Sequence, residues 1–443
     1  MSKIFNSVFV NYLTSVGDYF FGNHFMNSIK EWNRYDLLSE QELEDIQQKR
    51  LKKMLQHAIE TVPYYQKIKL PDTAGNSLTD FPVLTKEMLR FEKENLVSNR
   101  YNTATLKKNF SSGSSGIQSY SYTTKGFSYY NQGLQNHWYL WSGFKIGDGV
   151  VQFGISPNRA FPKNIKDVLF NVHYVNSFSI SEPEMIELAE LIRKKNIKYI
   201  IGYPSAINEF TKVVLKHGFS LSLNAIITLG DKLFAHFKKN FELAFSNPKI
   251  IDTYGCAEGL LMACSNDTAY YNIMSPNVFI EIVDDANKPV PDGELGHVLV
   301  TSLTNFAQPM IRYKLGDLAI KLPKEKYPEK RLFNYPLLEK IVGRETDVVI
   351  TPNQKKLIVH SFTGIVEYYP EIKQYKIIQE VPESIIFEYI TDSNFDFSEK
   401  TLQEIKSKID VLTDNSISVE FKAVDYIAST PSGKPQIIES KIK

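Results

Sequence analysis

Apolar positions recur at helical spacing early in the chain. Leu51, Met54, Leu55, Ala58 and Ile59 share one face before Val62-Pro63-Tyr64-Tyr65 ends the run, so the stretch from about 36 to 100 reads as helical and polar-faced. Ser181 and Glu184 then have the spacing of a capping box, ahead of a helix whose Met185, Leu188, Leu191 and Ile192 form one stripe. Short apolar runs follow at Tyr199-Ile200-Ile201, Ala225-Ile226-Ile227-Thr228-Leu229 and Ile250-Ile251. Each stops at glycine and polar residues: Gly202-Tyr203-Pro204-Ser205, Gly230-Asp231-Lys232 and Asp252-Thr253-Tyr254-Gly255. Strands alternating with helices predict an open parallel sheet, in which ligands bind outside the carboxyl ends of the strands. Three such ends predict a shared pocket.

From about 275 to 322 the pattern turns to antiparallel hairpins, with Pro291-Asp292-Gly293-Glu294 as the turn between strands at Ile280 to Val283 and His297 to Thr301. Beyond about 345 the order reads strand, strand, helix, strand. That helix is capped at Ser398 and buries Leu402, Ile405, Ile409 and Leu412, and Ile417, Val419 and Phe421 alternate in the strand after it. About 100 residues suffice for a small domain of its own. The expected class is α/β: a large N-terminal domain with parallel sheets flanked by helices plus a β-hairpin region, and a small mobile α+β C-terminal domain.

With 443 residues the chain exceeds a typical single core. A 43% hydrophobic and 23% charged composition is that of an ordinary soluble protein. The 51 basic residues nearly cancel the 50 acidic ones, which removes the electrostatic case for nucleic acid. Cys256 and Cys264 are too few for a disulfide framework or a four-cysteine zinc site and point to a reducing compartment. Ile4, Phe5, Val8, Phe9, Val10, Tyr12 and Leu13 make the N-terminus apolar, yet polar residues interrupt it and nothing in the chain reaches transmembrane length. It reads as an amphipathic segment that packs on its own domain or touches a partner or membrane surface. Lys321, Lys324, Lys326, Lys330 and Arg331 alternate with Glu325 and Glu329, the pattern of a solvated loop.

Two segments carry candidate chemistry. Phe110-Ser111-Ser112-Gly113-Ser114-Ser115-Gly116, preceded by Lys107 and Lys108, offers hydroxyls and close-approaching backbone amides that can cradle a triphosphate. It matches neither a Walker loop nor a dinucleotide fingerprint, and a flexible linker has the same composition. Pro431-Ser432-Gly433-Lys434-Pro435 puts one lysine on a loop near the C-terminus, either an ordinary tail turn or a cation able to neutralise phosphate and withdraw.

Taken in order along the chain, these segments resemble the adenylate-forming superfamily of acyl-CoA synthetases, peptide-synthetase adenylation domains and luciferases. The branch they are most similar to is that of phenylacetate–CoA ligase-like and CapK-like capsule-biosynthesis proteins. The resemblance runs from Val62-Pro63-Tyr64-Tyr65 and Phe81-Pro82-Val83-Leu84-Thr85-Lys86 to Ser432-Gly433-Lys434. It implies that Ser111, Ser112, Gly113, Ser114, Ser115 and Gly116 form the phosphate loop, with Ile117 and Gln118 where a lysine often follows. Gly230, Asp231 and Lys232 look like the adenine-side turn. Tyr254 and Gly255 resemble the signature whose tyrosine stacks on adenine, Glu258 its magnesium-holding glutamate, and Ala257 replaces the usual hydroxyl. Asp317, in Met310-Ile311-Arg312-Tyr313-Lys314-Leu315-Gly316-Asp317, resembles the ribose-binding aspartate. Gly343-Arg344-Glu345-Thr346-Asp347 looks like the interdomain hinge, its acidic position falling on Thr346 or Asp347, and Gln354 stands where a glycine is common. Gln374-Tyr375-Lys376-Ile377-Ile378-Gln379-Glu380 most resembles the CapK-like branch.

The resemblance implies a large ATP- and acid-binding domain over 1–343, a hinge at 344–347 and a small domain over 348–443. The implied activity is AMP-forming acid ligation: ATP and Mg²⁺ convert a carboxylic acid to an acyl-adenylate, and the acyl group passes to a thiol such as coenzyme A. Lys434, Glu258 and Arg344 are the expected catalytic residues. Acceptors kept open are an amine, a hydroxyl or a carrier-protein thiol, including an amino sugar, in polysaccharide or secondary-metabolite biosynthesis. A nucleotide-binding pseudoenzyme is the alternative from another class. Some members of the branch suggest bound zinc; with only Cys256 and Cys264, and Tyr271 near where a histidine would be sought, no zinc is expected. The expected location is cytoplasmic, and a homodimer and a weak membrane contact are both compatible.

Overall fold

The parallel and antiparallel halves of the pattern meet in a single sheet. The computed structural model describes residues 17–19, 22, 24–68, 77–111, 119–154, 167–177, 180–344, 348–366, 368–369, 371–392, 396–428 and 436–442. The N-terminal apolar run, Ser112 to Gly116, Thr346, Asp347 and Lys434 lie outside the described residues. A hairpin, β1 (Lys107–Ser111) and β2 (Ser119–Thr123), stands apart from the main sheet. The parallel strands are β3 (Val150–Gly154), β4 (Val172–Asn176), β5 (Tyr199–Gly202), β6 (Ala225–Thr228) and β7 (Lys249–Gly255). Antiparallel pairing then runs through β8 (Leu261–Ser265), β9 (Tyr271–Ile273), β10 (Val278–Val283), β11 (Leu295–Ser302), β12 (Tyr313–Lys321) and β13 (Leu337–Arg344).

The expected hairpin region is therefore no separate layer. The eleven strands lie in the order β10-β11-β12-β13-β9-β8-β7-β6-β5-β3-β4. Strand β7 joins the halves: Lys249 to Asp252 pair in parallel with β6, and Thr253 to Gly255 pair antiparallel with β8. Sheet polarity switches at the Asp252-Thr253 peptide, so this strand end projects beyond its parallel neighbours.

Helices α1 (His24–Tyr35), α2 (Glu40–Thr61), α3 (Lys125–Leu140), α4 (Glu182–Lys195), α5 (Pro204–Lys216) and α6 (Ala235–Ala244) surround this sheet. Pro63 starts a new short turn of helix directly after α2. The Ser181–Glu184 capping box closes, with Ser181 N donating to Glu184 Oε2 at 2.7 Å. The basic loop is more anchored than its alternating charges predict: Arg331 donates to Glu40 at 3.1 Å and to Tyr335 O at 2.9 Å. The antiparallel half holds a buried ion pair between its edge strand β10 and the residue before β12. Arg312, with φ +49°, donates from Nε to both oxygens of Glu281 at 3.2 Å, and its terminal nitrogens reach the carbonyls of Phe81 and Asn287. These carbonyls fix the loop that delivers Tyr313 and β12.

The C-terminal residues build their own sheet. After the hairpin β14 (Val348–Ile350) and β15 (Lys356–Ile358) comes α7 (Val359–Val366), then β16 (Ile372–Val381), β17 (Ser384–Thr391), α8 (Glu399–Leu412), β18 (Ser418–Ala423) and β19 (Ile438–Ser440), in the order β18-β17-β16-β19. Ile377, Phe387, Ile405, Ile409 and Ile438 fill the core beneath it. Ser398 sits at the N-cap of α8, but its side chain makes no capping bond. Gln379, fully buried, replaces a strand neighbour for β14: Ile350 N donates to its Oε1 at 2.9 Å, and its Nε2 donates to Ile350 O at 2.7 Å. The first hairpin is thereby bolted to the C-terminal sheet. Phe234, just before α6, is 8% exposed and packs within this C-terminal core.

Candidate active site

The three predicted strand ends open onto one cavity of about 360 Å³. Ser205 follows β5, Gly230, Asp231 and Lys232 follow β6, and Asp252, Tyr254 and Gly255 belong to the end of β7; all line it. Asp317 and Arg344 approach from β12 and β13, and Val359 and Ile437 close it from the C-terminal unit. Gly230 has φ +85°, and a Cβ there would stand 2.4 Å from the Tyr203 ring, so only glycine makes this turn.

The wall is a chain of polar contacts. Tyr254 donates from its hydroxyl to Asp317 Oδ2 at 2.8 Å, and Arg344 Nε lies 3.1 Å from Asp317 Oδ1. Burial and the Asp317 carboxylate push the Tyr254 phenol well above its usual range, so this hydroxyl keeps its proton and remains a donor. Asp317 in turn raises the already high value of the Arg344 guanidinium. On the next turn Ser205 donates to Asp231 at 2.5 Å, and Lys232 donates to Val342 O on β13 while lying over the Phe234 ring.

Glu258 stands apart from the cavity lining. It is 6% exposed, its Oε1 accepts from the Tyr313 hydroxyl at 3.0 Å, and its backbone carbonyl accepts from Ser121 of β2 at 2.9 Å. Cys256 is close enough that burial and the Glu258 carboxylate push its thiol well up. Glu258 thus joins the strand-end turn to the hairpin whose β1 ends at Ser111. It does not line the cavity, yet its carboxylate is near enough to Arg344 to raise the guanidinium further. Among the described residues no group of three histidine, cysteine or carboxylate side chains could hold a metal by itself. A lone carboxylate still suits Mg²⁺, which keeps several waters and takes phosphate oxygens as ligands.

Sequence reading gave no role to Asp252, Tyr271, Tyr313 or Phe234. Asp252 accepts from Thr228 and Tyr271, both at 2.5 Å, and burial raises its carboxyl. Its place at the head of the Asp252-Thr253-Tyr254-Gly255 run was a readable signal. Tyr271 belongs to a different hairpin, and Phe234 has nothing in its local sequence to mark it as shared between two cores.

Residues 171–307 match the AMP-binding enzyme family, and residues 349–441 match the CapK C-terminal domain. Protein CapK of Staphylococcus aureus is 21% identical over 422 residues, 91% of this chain and 90% of that protein. The phenylacetate-coenzyme A ligase of Escherichia coli is 27% identical over 337 residues, 70% of this chain and 72% of the ligase. Among solved structures, 2-hydroxyisobutyryl-CoA ligase in the postadenylation state superposes with a TM-score of 0.73 at 16% identity, covering 92% of this chain and 91% of that one. No helix among the described residues is long and apolar enough to cross a membrane. An AMP-binding enzyme segment followed by a CapK C-terminal domain, in a chain similar to CapK over nine-tenths of its length, supports an AMP-forming, adenylate-forming ligase of CapK-like and phenylacetate–CoA ligase-like character.

Proposed function

We propose that the protein activates a carboxylic acid with ATP, releasing pyrophosphate, and passes the acyl group to a thiol of the coenzyme A type. The observation that carries this reading is the Tyr254–Asp317–Arg344 wall: an aromatic face, an acceptor pair suited to a vicinal diol and a fixed cation on one cavity. A nucleoside fits that set. Attack of one anion on another demands charge neutralisation and positioning more than proton transfer. Lys434 is the proposed cation for the α-phosphate; Ile437, three residues further on, lines the cavity, and a three-residue segment reaches at most about 11 Å. Glu258 would hold Mg²⁺, which supplies charge stabilisation to the departing pyrophosphate. Residues 1–343 and 348–443 act as two domains, with 344–347 as hinge. The related 2-hydroxyisobutyryl-CoA ligase is solved with 2-HIB-AMP and CoA, which supports the same pair of half-reactions here.

A second acceptor reading, transfer to an amine or hydroxyl as in polysaccharide assembly, is favoured by the CapK-like C-terminal domain. Gln354 bears on the choice. It takes φ +62°, so the turn between β14 and β15 keeps a glycine-type backbone while carrying a long side chain. Carboxylate-dependent exchange of labelled pyrophosphate into ATP tests the activity itself; no exchange with any acid, alongside intact nucleotide binding, would leave the pseudoenzyme reading.

Two substitutions test the assignments. Asp317→Asn turns one acceptor oxygen into a donor and should weaken ATP binding by about 1–3 kcal/mol in calorimetry; unchanged affinity removes its ribose role. Glu258→Gln should raise the Mg²⁺ concentration needed for half-maximal exchange by about tenfold, with folding preserved, because a neutral amide is the poorer ligand for a hard dication. Superimposable Mg²⁺ titrations for variant and parent would remove Glu258 from the metal site.

A further inference from the structure

A two-stranded hairpin is only marginally stable by itself, and among the described residues β1 and β2 pair with no third strand. Tyr122, opposite Lys108 in that pairing, is gripped from the outer side instead. Its N–H donates to Gln308 Oε1 at 2.7 Å, and its carbonyl accepts from Asn305 Nδ2 at 3.0 Å. The N–H and C=O of one strand residue point to the same side, so two side-chain amides take the place of a further strand at this position. Both come from the segment between β11 and β12, and both are buried, at 2% and 1% exposure. Each keeps its other amide atom, Asn305 Oδ1 and Gln308 Nε2, buried without a hydrogen-bond partner among the described residues. Apolar side chains would fill this space without that cost, so the amides are explained by their grip on Tyr122 and not by burial.

The grip leads directly to Glu258. Ser121, next to Tyr122, donates to the Glu258 carbonyl at 2.9 Å, and Tyr313, at the far end of the segment that carries Asn305 and Gln308, donates to Glu258 Oε1 at 3.0 Å. Glu258 is thus held at its backbone through the hairpin and at its carboxylate through β12, and residues 303–312 join the two holders. That segment is itself closed and anchored: Ser302 N donates to Met310 O, and Ser98 N to Ala307 O, both at 2.9 Å. A hairpin released from the two amides would let the Glu258 backbone shift while Tyr313 kept hold of the carboxylate, which would turn the acceptor oxygens away from their present direction.

We infer that Asn305 and Gln308 are positioning residues for the Glu258 metal site: through Tyr122 and Ser121 they set the backbone from which this carboxylate reaches Mg²⁺. The inference rests on the role proposed for Glu258 above. Groups that orient a metal ligand typically change metal affinity by about 10–100-fold when removed. Calorimetry of ATP binding with Mg²⁺ and in EDTA, and of AMP binding, tests the inference without turnover. ATP should bind the parent more tightly with Mg²⁺ than in EDTA. Gln308→Met removes the acceptor for Tyr122 N–H at similar volume and should cut that gain by about tenfold, while affinity for AMP, and for ATP in EDTA, changes less than about twofold. Asn305→Ala should act in the same direction, and it makes the comparison should Gln308→Met fail to fold. A Mg²⁺ gain equal to the parent's in both variants overturns the positioning role and leaves the ligase reading standing. AMP affinity lost in step with ATP, or failure of both variants to fold, overturns it too, because the amides then serve the fold at large. A parent whose ATP affinity ignores Mg²⁺ removes the Glu258 role and this inference with it, and a parent that binds neither nucleotide overturns the ligase reading itself.

Discussion

Lys434→Ala is expected to slow acyl-adenylate formation by about 10²–10³, the usual cost of removing a positioned charge from developing phosphate charge. The effect should be confined to that step. Supplied with synthetic acyl-adenylate, the variant should still transfer its acyl group, because the proposed rotation about 344–347 would take the lysine away before the acceptor arrives. Stability should move by less than about 0.5 kcal/mol, the expectation for a lysine whose part is in the chemistry and not in a core. Single-turnover measurements of each half-reaction, with a denaturant titration as control, separate the outcomes. Equal loss in both steps would fix Lys434 at one site and contradict rotation, and full activity in both would return it to an ordinary tail residue.

Arg312→Met is expected to cost about 3–5 kcal/mol of stability, read as a drop in denaturation midpoint, because it strands Glu281 in the interior. Burial already holds the Glu281 carboxyl above its ordinary value even with Arg312 against it, so the pair is not strongly favourable in itself. The loss comes from breaking it. Removing both charges, as Arg312→Met with Glu281→Leu, should restore most of the loss, leaving a remainder for the Phe81 and Asn287 carbonyls that lose their donor. Equal destabilisation in the single and double variants would show that the carbonyl contacts, and not the charge pair, hold this region.

Much of the parallel half was legible because its information is local. Apolar runs ending in glycine and polar residues located β5, β6 and β7 and the cavity at their ends, and the Ser181 box fixed the start of α4. What the sequence left hidden depends on partners far along the chain. The switch of pairing at Asp252-Thr253 is set by which strands flank β7, and no pattern within seven residues reports that. The same holds for Glu258: its motif identifies the residue, whereas its orientation depends on Tyr313, 55 positions away. Ser398 illustrates the converse, a residue type that suits a cap at the right position without making the bond.

Phe234 bears on the energetics of the proposed rotation. Its ring precedes α6 yet lodges in the C-terminal core, so the proposed rotation of residues 348–443 would leave it behind and return it to water. Exposing a buried phenylalanine costs about 1.5–3 kcal/mol. At about 2 kcal/mol the ring alone would favour the docked arrangement by roughly thirty to one. Nucleotide binding that treats both arrangements alike cannot shift that ratio. The free energy for undocking must come from whatever the second arrangement binds better, which makes the acceptor a conformational effector as well as a substrate.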